Sequence, residues 1–218
     1  MSRPKTSRRP AGSAKLSARK PPIVDSSAKN PDSGAGFWSK AQRVLVRRRT
    51  FFNMIAPLAL IVFAQRKGDW PYWGLGFACC GMAIRFWSAG HLVKSAKLTT
   101  SGPFARMRHP LYLGSLFIAT GYCFMSGCLV AFPVVWGLYA LFFVSAMLHE
   151  EKMLLSAFGD EYRAYMAQTP RIFPRFTPIP NPQGRFTFRQ MLVNREPRVA
   201  LGVLVTLGLF FVRWAIPT

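Results

Sequence analysis

Two short stretches of the 218-residue chain gather the residue types that can do chemistry. The first, RMRHPLYLG at residues 106–114, sets His109 and Pro110 behind Arg106 and Arg108 at the head of an apolar run. The second, HEEKMLLSAFGDEYRAYMAQTPRIFP at residues 149–174, holds four of the chain's eight acidic residues, Glu150, Glu151, Asp160 and Glu161. Proline suits the first position of a helix, which puts His109 at the N-cap or beside it, among backbone N–H groups that lack helical partners and at the positive end of the dipole. Such a corner binds carboxylates and phosphates. A carboxylate pair at the end of an apolar helix asks for the opposite, a cationic partner. Each stretch also has a plainer reading. The first could be a helix start at headgroup level with Tyr112 as an interfacial aromatic, and the second an interfacial helix whose acids pair with nearby Lys and Arg.

The elements that must position these groups are read from the apolar pattern. Half of the residues are hydrophobic, yet the formal net charge is +21, and the two properties are segregated along the chain. Thirteen of the 29 Lys and Arg fall in residues 1–49, among Pro, Ser, Ala and Gly, so residues 1–46 are read as a disordered basic arm. Apolar windows follow at about 51–65, 70–93, 111–130, 132–148 and 199–217. A span needs roughly 20 apolar residues, so the fold class expected is all-α, a polytopic membrane protein of about five transmembrane helices. The third and fourth windows are parted only by the AFP around Pro133, which reads as a tight hairpin. A buried all-α core is the non-membrane alternative. With the arm and Arg47, Arg48 and Arg49 inside, the basic segments 94–109 and 149–198 also fall inside, as the positive-inside rule requires. His91, His109 and His149 then share the cytoplasmic side with the acidic cluster. Residues 47–180 are the expected core, and 181–218 a linker and C-terminal helix. Cys79, Cys80, Cys123 and Cys128 lie within apolar windows without metal-ligand spacing to any histidine and are read as small core residues.

Within the second stretch, Gly159 is a helix terminator and Asp160 a cap for a short following helix, with Tyr162 and Tyr165 on one face. The prolines of TPRIFPRFTPIPNP exclude helix there. TTSGPFARMRHPLYLG resembles the GPY…RHPxYxG signature of the isoprenylcysteine carboxyl methyltransferase and phospholipid methyltransferase superfamily, and EEKMLLSAFGDEYRAYMAQTPRIFP is similar to its EExxLxxxFGxxYxxYxxxxPRxxP block. The blocks stand in the family's order with an apolar hairpin between them. The resemblance runs from near Lys97 to Pro174.

That resemblance implies an integral-membrane methyltransferase that uses S-adenosylmethionine without a Rossmann fold, and no glycine-rich GxGxxG turn is present. It implies cofactor binding by Ala96, Lys97, Leu98 and Thr99, by Phe104, by His109, Pro110 and Tyr112, and by Glu150, in a cytoplasmic pocket. Phe104 stands where the family more often has Tyr, so stacking is kept and a hydroxyl is lost. On this reading the methionyl carboxylate meets the helix start at His109, and the ammonium meets Glu150. The reaction is in-line displacement at the sulfonium methyl, with no metal required. Arg171 and Arg85 are candidates for the acceptor side of the catalytic site. Glu151 orients Arg171 or the cofactor, and Arg85 pairs with Glu150 or Glu151 if it does not face the acceptor. The implied acceptor is a lipid or a prenylated small molecule or protein, and residues 142–149 offer only His149 as a positive group for a carboxylate. Two other classes stay open. One is a sterol-type reductase using NADPH, with Arg106 and Arg108 on the extra phosphate. The other is a membrane adaptor whose basic arm binds anionic lipid; no specific nucleic acid partner is expected.

Overall fold

The computed structural model of the protein describes residues 55–65, 67–93, 97–180 and 184–216. The expected arm, Ala96, and the basic residues Arg47, Arg48, Arg49, Arg66 and Lys94 used in the topology argument lie outside the described residues. Helix α1 occupies residues 55–62. It is followed by α2 (Trp70–His91), a 3-10 turn (Gly102–Ala105), α3 (Pro110–Ser126), α4 (Ala131–Tyr139), a π-helical segment (Ala140–Val144), α5 (Ser145–Gln168), α6 (Phe188–Val193) and α7 (Glu196–Ala215). No strand occurs among the described residues.

The tightest packing joins α2 to α3 and follows from small residues at matched spacing. Gly74, Ala78, Gly81 and Arg85 recur at steps of four and three, and so do Gly114, Ile118, Gly121 and Met125. A Cβ added at Gly81 would stand 2.5 Å from the Gly114 carbonyl oxygen, and one at Gly121 would stand 2.6 Å from that of Gly74. The two backbones therefore touch, which is how helices pack when small side chains line the seam. Cys79 and Cys80 fall between the seam positions and are exposed, so they are not core residues as expected; Cys123 is buried. Helix α7 closes this pair by laying Val203, Leu207 and Phe210 against Ala78, Ile118, Tyr122 and Met125.

The hairpin between α3 and α4 turns at Gly127, not at Pro133. Gly127 takes a left-handed φ of 66°, and a Cβ there would collide with the Gln65 carbonyl. Pro133 instead sits in the first turn of α4, where its missing N–H costs nothing. The π segment then widens the helix by one residue. Tyr139 and Phe143 stack across it at 4.1 Å, and the Tyr139 hydroxyl donates to the Tyr112 carbonyl. Gly159, with φ 53° and ψ −121°, is non-helical, so α5 consists of two helices joined at a kink there, as expected. The limb beyond the bend packs Tyr162 and Tyr165 on Leu98.

Two helical stretches, Ala131–Gln168 and Glu196–Ala215, are long and apolar enough to cross a membrane. Their outer faces carry exposed Trp136, Leu141, Leu201, Leu204, Val205 and Val212. Faces of that size and composition suit lipid rather than water.

Candidate functional site

The two chemistry-bearing stretches meet because their backbones are zipped together. After the α5 bend, the extended chain returns along residues 105–109. Arg108 N–H donates to the Pro170 carbonyl at 2.8 Å, and His109 N–H to that of Arg171 at 2.9 Å. Arg175 N–H donates to the Arg106 carbonyl at 3.0 Å, and Ile179 N–H to that of Ala105 at 2.9 Å. The Tyr165 hydroxyl adds a bond to the Phe104 carbonyl at 2.7 Å. Prolines at 170, 174, 178 and 180 keep this return strand out of helix, so its N–H and carbonyl groups stay available for the zipper.

Buried Glu151 is the centre of the resulting cluster. Its Oε1 accepts from Arg108 Nη1 at 2.7 Å, and its two oxygens accept from Arg171 Nε and Nη2 at 3.1–3.2 Å. His109 Nε2 lies 3.2 Å from the same Oε1. The carboxylate thus has three side-chain donors and two full positive charges around it. Hydrogen bonding to Glu151 pushes the Arg171 guanidinium above its ordinary value. Burial holds His109 below 6.5, and Glu150 and Glu151 only partly oppose that. His109 is therefore a neutral imidazole at pH 7. Its proton belongs on Nε2, which faces an acceptor, and Nδ1 keeps a lone pair.

Glu150 is the second carboxylate and is differently placed. Its side chain is 49% exposed, with Oε2 accepting from the Tyr112 hydroxyl at 3.1 Å and standing 3.9 Å from His109 Nδ1. That separation is too long for a hydrogen bond. Two acceptor atoms thus face each other across a gap. A primary ammonium, with three donors and a positive charge, complements such a pair. Arg171 is 52% exposed although bound to Glu151, so part of its guanidinium remains accessible for an anion beside it. The ring of Tyr112 packs between His109 and Phe143, 5.5 Å from each.

The expected site residues divide as follows. His109 is the N-cap of α3 and Pro110 its first residue, and with Tyr112, Glu150, Glu151 and Arg171 they form one cluster. Glu151 orients Arg171 directly. Phe104 is buried in the 3-10 turn, and Leu98 is buried against Tyr162 and Tyr165. Thr99 accepts from Val93 N–H at 3.1 Å, and Lys97 is exposed. Arg85 does not pair with Glu150 or Glu151. Its Nε and Nη2 donate to Glu196 at 3.0 and 2.8 Å, while Nη1 donates to Ser115 Oγ at 2.7 Å. The reason is placement: Arg85, on α2, faces Leu111 and Ser115 of α3 and the start of α7. Sequence reasoning missed Glu196, whose signal was a lone acid heading the last apolar window, and Arg108 as a partner of Glu151. It also missed Tyr139, which nothing in its neighbourhood marked. A cavity of about 220 Å³ lined by Pro71, Tyr72, Phe211, Trp214 and Ala215 lies at the other end of α2, away from this cluster.

Comparison with known proteins identifies the family. The family model described as phospholipid methyltransferase matches residues 52–161. The chain is 34% identical over 167 residues to the cobalt-zinc-cadmium resistance protein CzcN of Cupriavidus metallidurans, covering 71% of this chain and 76% of that one. It is 32% identical over 112 residues to the protein-S-isoprenylcysteine O-methyltransferase of Schizosaccharomyces pombe, covering 46% and 48%. The enzyme of that name from Rattus norvegicus is 32% identical over 111 residues, covering 45% and 38%. The chain thus spans less than half the length of the two isoprenylcysteine enzymes. No solved structure matches it. With its paired blocks folded onto one buried carboxylate, and with half of its length under the family model, the chain belongs to the phospholipid methyltransferase family.

Proposed function

We propose that the protein transfers a methyl group from S-adenosylmethionine to a lipophilic acceptor at the membrane face where α3, α5 and the return strand meet. The observation that carries this reading is the gap between Glu150 Oε2 and His109 Nδ1, two acceptors 3.9 Å apart beside a half-exposed arginine. Side by side, these groups fit the ammonium and carboxylate ends of an amino acid moiety. S-adenosylmethionine supplies an electrophilic methyl group on a sulfonium. Glu150 and His109 hold the ammonium and Arg171 takes the carboxylate; Phe104 and Leu98, which the family resemblance also assigns to the cofactor, are buried and would support the site from beneath. By the family resemblance Lys97 and Thr99 would also contact the cofactor, as would Ala96, which lies outside the described residues. Glu151 fixes Arg171, Arg108 and His109, so the site is set before the cofactor arrives. Arg85, braced by Glu196, enters the reading as the group that fixes α7 against α2 and α3.

The lipophilic acceptor is argued from the exposed apolar faces of α4 and α7, and the isoprenylcysteine methyltransferases supply one acceptor class by likeness. In this reading the chain is multi-pass, with its site and N-terminus on the cytoplasmic side. An NADPH reductase would place Arg106 and Arg108 on a phosphate. Here Arg108 is bound to Glu151 and Arg106 to the Phe176 carbonyl, which tells against it. Calorimetric titration of the detergent-purified chain separates the two: S-adenosylmethionine is expected to bind and NADPH not to. Binding of NADPH alone overturns the methyltransferase reading. Methyl transfer from labelled cofactor to prenylcysteine, phosphatidylethanolamine and an alkyl thiol then identifies the acceptor.

A further inference from the structure

Between α5 and α7 the chain alternates arginine and large apolar residues in a way that the cluster around Glu151 does not use. From residue 171 to residue 195 there are five arginines and no acidic residue. Phe173, Phe176 and Phe188 are 84%, 96% and 71% exposed, and Leu192 and Val193 are exposed beside them. This outward display is not looseness. The Thr187 N–H donates to the Gly90 carbonyl at 2.9 Å, and Asn194 Nδ2 donates to those of Ala89 and Leu92 at 2.8 Å each. The Phe186 ring packs on His91, and Arg106 Nη1 holds the Phe176 carbonyl at 2.5 Å. The backbone is bolted to the end of α2 and to Arg106 ahead of α3, and Phe173, Phe176 and Phe188 still face outward.

We infer that residues 173–180 and 184–198 form an interfacial platform that binds the anionic phospholipids of the bilayer in which α7 stands. The level follows from continuity, because α7 starts at Glu196 and is one of the two stretches fit to cross a membrane. The chain just before it therefore lies where a spanning helix meets headgroups. The sign follows from charge. Arg185, Arg189, Arg195 and Arg198 are exposed, and none has an acidic partner among the described residues. Arg175 gives one guanidinium nitrogen to the Gln168 carbonyl and keeps its charge. Phenylalanine among acyl chains with arginine at the phosphates is the pattern of interfacial segments. A soluble acidic partner would answer the arginines, but it would leave the exposed Phe173, Phe176 and Phe188 unexplained. The platform is independent of methyl transfer.

The test uses the full-length chain in nanodiscs of phosphatidylcholine mixed with phosphatidylglycerol, the bromine label being carried on the acyl chains of one lipid or the other. Phe188→Trp and Phe176→Trp each add an indole whose fluorescence is taken as the difference from the unsubstituted chain. Both added signals are expected to be quenched, about two- to fivefold more strongly by brominated phosphatidylglycerol than by brominated phosphatidylcholine. Raised salt should shrink that preference. Arg189→Gln with Arg195→Gln in the Phe188→Trp background should abolish it while quenching itself persists and the melting temperature stays near that of the parent. Equal quenching by the two lipids in the parent chain overturns the anionic assignment. Absence of quenching by either lipid overturns the platform, and if the added indoles are then also shielded from an aqueous quencher, a protein surface covers them instead.

Discussion

Among the described residues two buried ion clusters stand beside the first turns of α3, and they are built on opposite plans. At Arg85 the match is one to one: two guanidinium nitrogens meet two carboxylate oxygens of Glu196, and the third nitrogen takes Ser115. Nothing is left over. At Glu151 the match is unequal, with one carboxylate answering Arg108, Arg171 and His109, and a second carboxylate, Glu150, left half in the open. A closed pair fixes helices; an unequal cluster fixes side chains and leaves unused capacity for a ligand. Replacing a closed pair by apolar residues of similar volume is often neutral, whereas removing one partner of a buried ion pair strands the other.

Substitutions should separate the two plans. The largest effect is expected for Glu151→Ala, which strands Arg108 and frees Arg171. A loss on the order of 3–5 kcal/mol in stability, seen as a lowered melting temperature, should accompany loss of cofactor affinity. Glu196→Ala should destabilise by about 3 kcal/mol, and Arg85→Met combined with Glu196→Leu should restore most of that in thermal melts. Affinity for S-adenosylmethionine measured by calorimetry should stay near the parent value in the double variant. If the double variant loses affinity as Glu151→Ala does, the division between the clusters fails. Glu150→Ala and His109→Ala should weaken cofactor binding by about 1–3 kcal/mol each, the former with little change in melting temperature because Glu150 is exposed. Tyr112→Phe removes one hydrogen bond to Glu150 and should weaken binding by about 1 kcal/mol.

The smallest effect is on pH dependence. The folded His109 titrates below its ordinary 6.5 because it is buried. Above 6.5 it is neutral in both states and contributes no slope. As pH falls through 6.5 the unfolded chain takes up the proton first, so stability is lost until pH passes the folded value. Melting curves of the parent chain should therefore fall more steeply with acidification than those of His109→Gln, whose side chain does not titrate. Parallel curves would show that His109 titrates alike in the folded and unfolded chain, and a shallower fall in the parent that the fold favours its protonated form.

The paired blocks at 106–114 and 149–174 were legible as one site because local chemistry marks them: a proline that starts a helix, a histidine before it, and acids where acids are scarce. The windows at 70–93 and 199–217 were legible as helices because nearly all their residues are apolar. What was not legible depended on neighbours far along the chain. Arg85 and Glu196 are separated by 111 positions, and no local pattern tells which helix α7 packs on. The hairpin was misplaced for a different reason. Pro133 is the louder signal, but proline is tolerated in a first turn, while Gly127 meets the Gln65 backbone, a contact visible only in three dimensions. Cys79 and Cys80 were misread because burial was inferred from apolar surroundings, and a seam as narrow as that of α2 and α3 buries only every third or fourth residue.

The bond between Arg85 and Glu196 also has a consequence for how the chain is made. Synthesis runs from N- to C-terminus, so α2 and α3 exist, with their glycine seam ready to close, long before α7 emerges. During that interval Arg85 has Ser115 and the Leu111 carbonyl within reach but no counter-charge. The last helix is what neutralises it. A nascent chain stopped before residue 196 would leave the Arg85 guanidinium without a counter-charge between α2 and α3.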